Sequence, residues 1–338
     1  MAKRRLSQPV TALSWTGCDT DDPMGTVSEV RIARRTGFCY GVREAIDAAR
    51  ISAAEGKRTH TLGQVVHNEG VNAKLRDEGV VSVKELDEVQ EGSSVVIRAH
   101  GVTPEVMDGA NSRDLEVIDG TCSWVTQEQK ELAALVEEGY TVVLLGTPNH
   151  PEVVGLLGFA PDAILVDEEE DWGKIPRRKR MALLTQSTQP PWKFERLAGH
   201  LTTRAHELKI VNTVCPVTIR RQQDTTDLAE AVDLVVVVGG RNSANTKELT
   251  RLVGIVGKPA VQIEHARDLE DATTFDGYAT VGVTGGTSTP IEDLEAVAAR
   301  IYELAGAGET PARAAQLAHA AVTDVAESPY RTTSLDAA

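Results

Sequence analysis

Aromatic side chains are scarce, with Phe, Trp and Tyr together making up 4% of the 338 residues. Any core must therefore be built from Val, Leu, Ile and Ala. Basic charge is also short: 35 Lys and Arg against 50 Asp and Glu leave a formal charge of −15. No basic stripe offsets that repulsion, which argues against a nucleic-acid partner and leaves the acidic excess as solvated surface. No apolar run approaches the ~18 residues of a membrane span, so none is expected. Met1-Ala2-Lys3-Arg4-Arg5 has the look of a signal-peptide start, but no apolar segment follows, and the expected location is cytoplasmic. Only four cysteines occur, too few for a disulfide scaffold in a chain of this length.

Three of those cysteines share one local design. Ser28-Glu29-Val30-Arg31-Ile32-Ala33-Arg34 leads to Gly37-Phe38-Cys39, and Leu115-Glu116-Val117-Ile118-Asp119 leads to Gly120-Thr121-Cys122. Leu208-Lys209-Ile210-Val211 leads likewise to Asn212-Thr213-Val214-Cys215. Each is a short β-branched run, a turn of small or polar residues, one cysteine and then a helix-like stretch. A thiol at a helix N-terminus is biased toward the thiolate, the form that binds metal. The pattern predicts three similar units aiming their thiols at one centre, a three-cysteine iron–sulfur site. Cys18 stands apart, in a polar stretch without periodicity.

From Glu29 onward strand-like and helix-like segments alternate, which predicts parallel sheets with right-handed crossovers. The expected fold class is α/β: three similar parallel-sheet α/β domains in a pseudo-threefold arrangement around the central site. The expected boundaries are a mobile extension over 1–28, domains over 29–121, 122–214 and 215–304, and a C-terminal tail over 305–338. Helices are predicted over 43–55, 71–78, 124–138, 192–207, 219–232, 246–256 and 291–304. Strands are predicted over 59–66, 94–98, 141–145, 162–166, 181–185, 234–238, 260–263 and 278–284. In such sheets ligands gather at the C-terminal ends of strands. Cys39, His67, His100, Cys122, His150, Glu152, Ser187, Cys215, Asn245 and Ser288 all fall at such ends.

The ordered set of motifs closely resembles the 4-hydroxy-3-methylbut-2-enyl diphosphate reductase family. The matching pieces are Gly37-Phe38-Cys39-Tyr40-Gly41-Val42, Val65-Val66-His67-Asn68, Ala99-His100-Gly101-Val102 and Thr121-Cys122. They continue with His150-Pro151-Glu152-Val153, Thr185-Gln186-Ser187-Thr188, Asn242-Ser243-Ala244-Asn245 and Thr284-Gly285-Gly286-Thr287-Ser288. The resemblance implies a [4Fe–4S] cluster ligated by Cys39, Cys122 and Cys215, with one iron open to the allylic hydroxyl of the substrate. It implies that His67, His100, His150, Ser243, Asn245 and Ser288 grip the diphosphate. Glu152 would deliver protons, with His150 and Ser187 supporting that chemistry. The products would be isopentenyl and dimethylallyl diphosphate, the electron donor a ferredoxin or flavodoxin, and the protein a monomer or weak dimer.

This grip contains no Lys or Arg. Hydrogen bonds to a charged group contribute about 1.5–3 kcal/mol each, so five give roughly 8–15 kcal/mol. Association costs about 4–15 kcal/mol, and micromolar binding needs about 8 kcal/mol net. Helix N-termini or protonated histidine should therefore contribute. Departures from the family pattern are Arg35-Thr36 before the first Gly-Phe-Cys, Ser123 after Cys122, Arg220 in place of an amide, Ala244 in place of a hydroxyl, and Ser187 in place of a Thr. Donor docking would use a local basic patch, for which Arg34, Arg35 and Arg43 are candidates. The alternatives are another open-iron cluster enzyme of the quinolinate-synthase kind, a non-catalytic cluster-based redox sensor, and a Cys3His zinc protein.

Overall fold

The computed structural model describes residues 27–66, 68–241 and 243–306. The chain opens with β1 (Glu29–Ile32) and passes through Cys39 into α1 (Tyr40–Ala54). It continues with β2 (Thr59–Leu62), α2 (Glu69–Asp77), β3 (Val80–Val83), β4 (Ser94–Ile97), α3 (Pro104–Asn111) and β5 (Glu116–Asp119). Cys122 leads into α4 (Ser123–Glu137), followed by β6 (Thr141–Leu145), α5 (Pro151–Phe159), β7 (Ile164–Val166), the short α6 (Glu169–Trp172), β8 (Arg178–Thr185), α7 (Pro191–Leu201) and β9 (Ala205–Ile210). Cys215 leads into α8 (Pro216–Glu230), then β10 (Leu234–Val238), α9 (Ala244–Ile255), β11 (Ala260–Ile263), β12 (Thr280–Gly285) and α10 (Ile291–Ala305).

These strands form three four-stranded sheets, ordered β3-β2-β4-β5, β7-β6-β8-β9 and β11-β10-β12-β1. Every pairing is parallel. The three orders are the same once β1 is taken as the fourth strand of the third sheet. That corrects the expected first domain over 29–121, because Glu29–Ile32 pairs with residues 280–283 of β12. Central strands such as β6 and β10 are continuous Val/Leu runs buried on both faces, as a sheet covered by helices on each side requires. The cores are aliphatic; Phe194, Trp172 and Phe275 are the buried aromatic additions among the described residues.

Two local expectations differ from the structure. The helix predicted over 192–207 ends at Leu201, because Thr202 and Thr203 turn the chain into β9 and Ala205 pairs with Arg178. Strand β3, Val80–Val83, was not expected; it is an edge strand with two of its four side chains exposed, so it lacks a clear apolar pattern. At the ends, Val27 is fully buried and donates its N–H to the Ala305 carbonyl at 2.7 Å. It also bridges Gly306. Residues 27–28 and 305–306 thus belong to the third unit, while the rest of the expected extension and tail, including Cys18, lies outside the described residues.

The third unit is tied to the first cysteine turn by a buried cation. Arg221 of α8 is 1% exposed and donates to the carbonyls of Gly285 (3.0 Å), Gly286 (2.7 Å) and Gly37 (2.8 Å). Gly37 takes a left-handed φ of 83°, which glycine adopts without steric cost. Replacing Arg221 with Met would strand three buried carbonyls. The expected loss is about 3 kcal/mol or more, read as a lowered urea midpoint in equilibrium unfolding. An unchanged midpoint would show that the guanidinium does not hold these segments together.

Candidate functional site

Cys39, Cys122 and Cys215 are the N-cap residues of α1, α4 and α8, each a 15-residue helix. Each follows the last strand of one sheet and opens the first helix of the next unit, so all three sit on crossovers between units. Their amides are anchored in an equivalent way. Cys39 N–H donates to the Thr287 carbonyl (3.3 Å), Cys122 N–H to Ala99 (3.0 Å) and Cys215 N–H to Ser187 (2.8 Å). Each acceptor lies just beyond the third strand of a sheet, β12, β4 or β8, and is either a candidate site residue or the neighbour of one. One hydrogen-bond pattern, used three times, therefore joins the thiols to the loops that carry Ser288, His100 and Ser187.

All three thiols are free and partly buried. The amides of Trp124 and Val125 point at the Cys122 sulfur, and those of Val217 and Thr218 at the Cys215 sulfur. Burial nevertheless pushes the Cys122 thiol up to about 12, and the nearby Cys39 charge adds to the rise. Cys215 is raised by burial first, with the Cys39 and Glu152 charges adding to it and the two amides opposing. Three thiols close enough to oppose each other's ionisation, each at a helix N-terminus, form a donor set that fits a cationic cluster, because metal binding removes their protons. Among the described residues no three His, Cys, Asp or Glu side chains gather around a point fit for a single metal ion. A cluster does not require that, since each thiolate binds a different iron. Gly41, in the first turn of α1, permits this approach: a Cβ there would lie 2.6 Å from the Cys122 sulfur.

The second unit brings Glu152, Ser187 and His150 together. Asn149 has φ 63°, the sole non-glycine residue with positive φ among those described, and it turns the chain into the N-cap His150. His150 Nδ1 accepts the Glu152 N–H at 3.2 Å. The imidazole thus carries its proton on Nε2 when neutral. The His100 and His150 rings meet edge to face, with centroids 5.3 Å apart. Glu152 is 2% exposed; Ser187 donates its N–H to Oε1 (2.6 Å) and its hydroxyl to Oε2 (2.9 Å). Burial raises the Glu152 carboxyl above its ordinary range, against the pull of those two Ser187 donors.

The third unit contributes the N-terminus of α9 and the turn after β12. Ser243 caps α9 by accepting the Thr246 N–H at 3.3 Å. Asn245 is buried with both amide atoms unpaired among the described residues, as is the Thr246 hydroxyl. A Cβ on Gly286 would lie 2.9 Å from that hydroxyl and 3.5 Å from Asn245 Nδ2. The turn through Thr287 and the half-buried Ser288 therefore lies against the helix start. Unpaired buried donors beside a helix N-terminus suit an anion. His67 lies outside the described residues.

Three groups escaped the motif reading. Glu128 of α4 is 1% exposed and falls within side-chain hydrogen-bonding reach of Glu152. The signal was present, because Glu128 occupies the apolar stripe of Val125, Leu132 and Leu135, where a carboxylate is out of pattern. Arg98, two residues before His100, is half-buried with Nε unpaired among the described residues, so a cation does stand beside the histidine loop. Arg221 is the third. The departures Arg220 and Ala244 are both exposed.

A sequence model of the LytB protein family matches residues 30–302. The 4-hydroxy-3-methylbut-2-enyl diphosphate reductase of Geobacter metallireducens is 37% identical over 277 residues, covering 82% of this chain and 98% of that protein. The enzyme of the same name from Aquifex aeolicus is 35% identical over 281 residues, covering 82% and 96%. Among solved structures, one of (E)-4-hydroxy-3-methyl-but-2-enyl diphosphate reductase, the terminal enzyme of the non-mevalonate pathway, superposes with a TM-score of 0.64 at 35% identity, covering 82% of this chain and 100% of that one. The E-1-hydroxy-2-methyl-but-2-enyl-4-diphosphate reductase of Plasmodium falciparum superposes at 0.75 with 26% identity, covering 80% and 86%. With its three sheets, its three capped crossovers and these matches over most of its length, the chain belongs to the LytB protein family.

Proposed function

We propose that this protein reduces 4-hydroxy-3-methylbut-2-enyl diphosphate to isopentenyl and dimethylallyl diphosphate, with Cys39, Cys122 and Cys215 ligating a [4Fe–4S] cluster. Two electrons and two protons cleave the allylic C–O bond, and the oxygen leaves as water. The observation that carries the reading is the thrice-repeated cysteine crossover, each turn tied by its amide to a loop bearing a site residue. When bound, the cluster would supply electrons from an outside donor and one open iron as a Lewis acid for the hydroxyl.

The protein's own residues supply binding and protons. His67, His100, His150, Ser243, Asn245 and Ser288 take the diphosphate, His150 through its Nε2–H. Glu152 is the proton donor, in a water-excluded position where burial raises its carboxyl above the ordinary range and so favours the protonated form. Ser187 fixes the orientation of that carboxyl through both of its bonds. A ferredoxin or flavodoxin is the donor we favour. Of its candidate docking residues, Arg34 and Arg43 are exposed, whereas Arg35 is held by Asp224 at 2.7 Å.

Anaerobic reconstitution of the full chain is expected to give a brown protein with about four irons per chain. With a chemical reductant it should release both isoprenoid diphosphates from the hydroxylated substrate. A loaded protein that releases neither overturns the substrate assignment, and a colourless one overturns the cluster. Gly41→Ala should lower iron content severalfold while far-UV circular dichroism is unchanged, since the added methyl collides with the Cys122 sulfur. Glu152→Gln should load iron normally yet lose about 10²–10⁴ in kcat, measured by product release under saturating substrate.

A further inference from the structure

Glu128 has no assigned task, and its surroundings are wrong for a structural carboxylate. It lies on α4, the helix capped by Cys122, and is sealed from solvent. Taken as ionised, neither of its oxygens finds a hydrogen-bond donor among the described residues. Its partner within reach is Glu152, which ionised is an acceptor too. Two buried carboxylates facing each other repel. A proton on Glu128 turns the repulsion into a hydrogen bond and gives the orphaned group its partner. The other titratable groups that bear on Glu128 are the thiols of Cys215, at the start of α8, and Cys122, at the start of its own helix; both oppose its ionisation. The β6 strand packed against α4 reads Thr-Val-Val-Leu-Leu and offers no titratable side chain.

We propose that Glu128 is the proton reserve for Glu152, remaining protonated in the sealed site and passing its proton to Glu152 once Glu152 has given up its own. This rests on the function proposed above. That reaction consumes two protons for each C–O bond broken, one leaving in water and one ending on carbon, while the two electrons come from the outside donor. Glu152 holds a single proton at a time. After the first transfer the pair is Glu128-COOH and Glu152-COO−. The hydrogen bond between them then converts it to Glu128-COO− and Glu152-COOH, and Glu152 delivers the second proton. Two protons from solvent refill the ionised pair when product leaves, favoured because burial opposes two adjacent negative charges. Glu128 never touches substrate in this scheme; it is a positioning residue that acts through Glu152.

The test uses the full, cluster-loaded chain and two substitutions. Glu128→Gln keeps the shape and an N–H donor toward Glu152 but has no proton to pass. Glu128→Asp keeps the acid on a shorter stem. In wild-type protein at neutral pH, infrared spectroscopy should show protonated-carboxyl C=O absorption from both acids that shifts in heavy water; Glu128→Gln should lose the Glu128 component and keep the one that Glu152→Gln removes. Glu128→Gln should lose about 100-fold in kcat with KM unchanged and show a larger solvent isotope effect, and Glu128→Asp should recover part of the loss. A wild-type kcat and pH profile in Glu128→Gln would overturn the reserve, as would protonated-carboxyl absorption undiminished by that substitution. If wild-type protein does not reduce the hydroxylated diphosphate, the proposed function fails by itself. The infrared band still decides whether Glu128 carries the proton.

Discussion

The meeting of the three cysteine turns depends on a single backbone hydrogen bond made three times over. The amide of each cysteine is held by a carbonyl just beyond the third strand of a sheet, at Thr287, Ala99 or Ser187. An amide cannot be in place unless both segments are, so thiol and ligand loop are located together. The site is therefore assembled from element ends that rigid sheets already position, which is how functional groups are held to within fractions of an ångström. Trp124 strengthens the same seam by donating its indole N–H to Thr213 at 2.7 Å, linking the Cys122 helix to the turn before Cys215.

Electrostatics in the site run against ordinary surface chemistry. Glu152 and Glu128 are sealed carboxyls, the thiols oppose one another, and the buried Arg221 and the half-buried Arg98 stand at the edges. Arg221 feels the Cys39 and Cys215 charges, but its hydrogen bonds go to backbone carbonyls. A basic ligand placed among the carboxyls would hold them ionised. Keeping it at the margin removes that pull, in line with the upward shift that burial gives both carboxyls.

Much of this could be read from the amino-acid order, because the central strands are apolar runs with turns of fixed chemistry at their ends. Strand β6, β10 and β11 boundaries coincide with their Val/Leu and Ala/Val/Ile runs, and the cysteine turns announce their helices. What escaped was set by partners distant in sequence. Nothing local in Glu29–Ile32 says that it completes a sheet with Thr280–Gly285 rather than with the strand that follows it. Glu128 stands out of pattern in the apolar stripe of its helix, but that it faces Glu152 is set by the packing of α5 against α4. Arg220 drew notice as a departure, yet it is exposed, while its neighbour Arg221 is the buried tie.

The placement of β1 has a consequence for how the chain is made. Its hydrogen-bonding neighbour begins at Thr280, so β1 waits for the strands of both other sheets to be made before it can be paired. Long-range parallel pairing of this kind is slow to form and leaves an unsatisfied strand edge open in the meantime. The two other sheets draw all four strands from neighbouring sequence and can close as they emerge. The third sheet thus closes like a lock: β1 can be captured only once β12 has arrived, and the Cys39 amide, which needs the Thr287 carbonyl just beyond β12, waits on the same event.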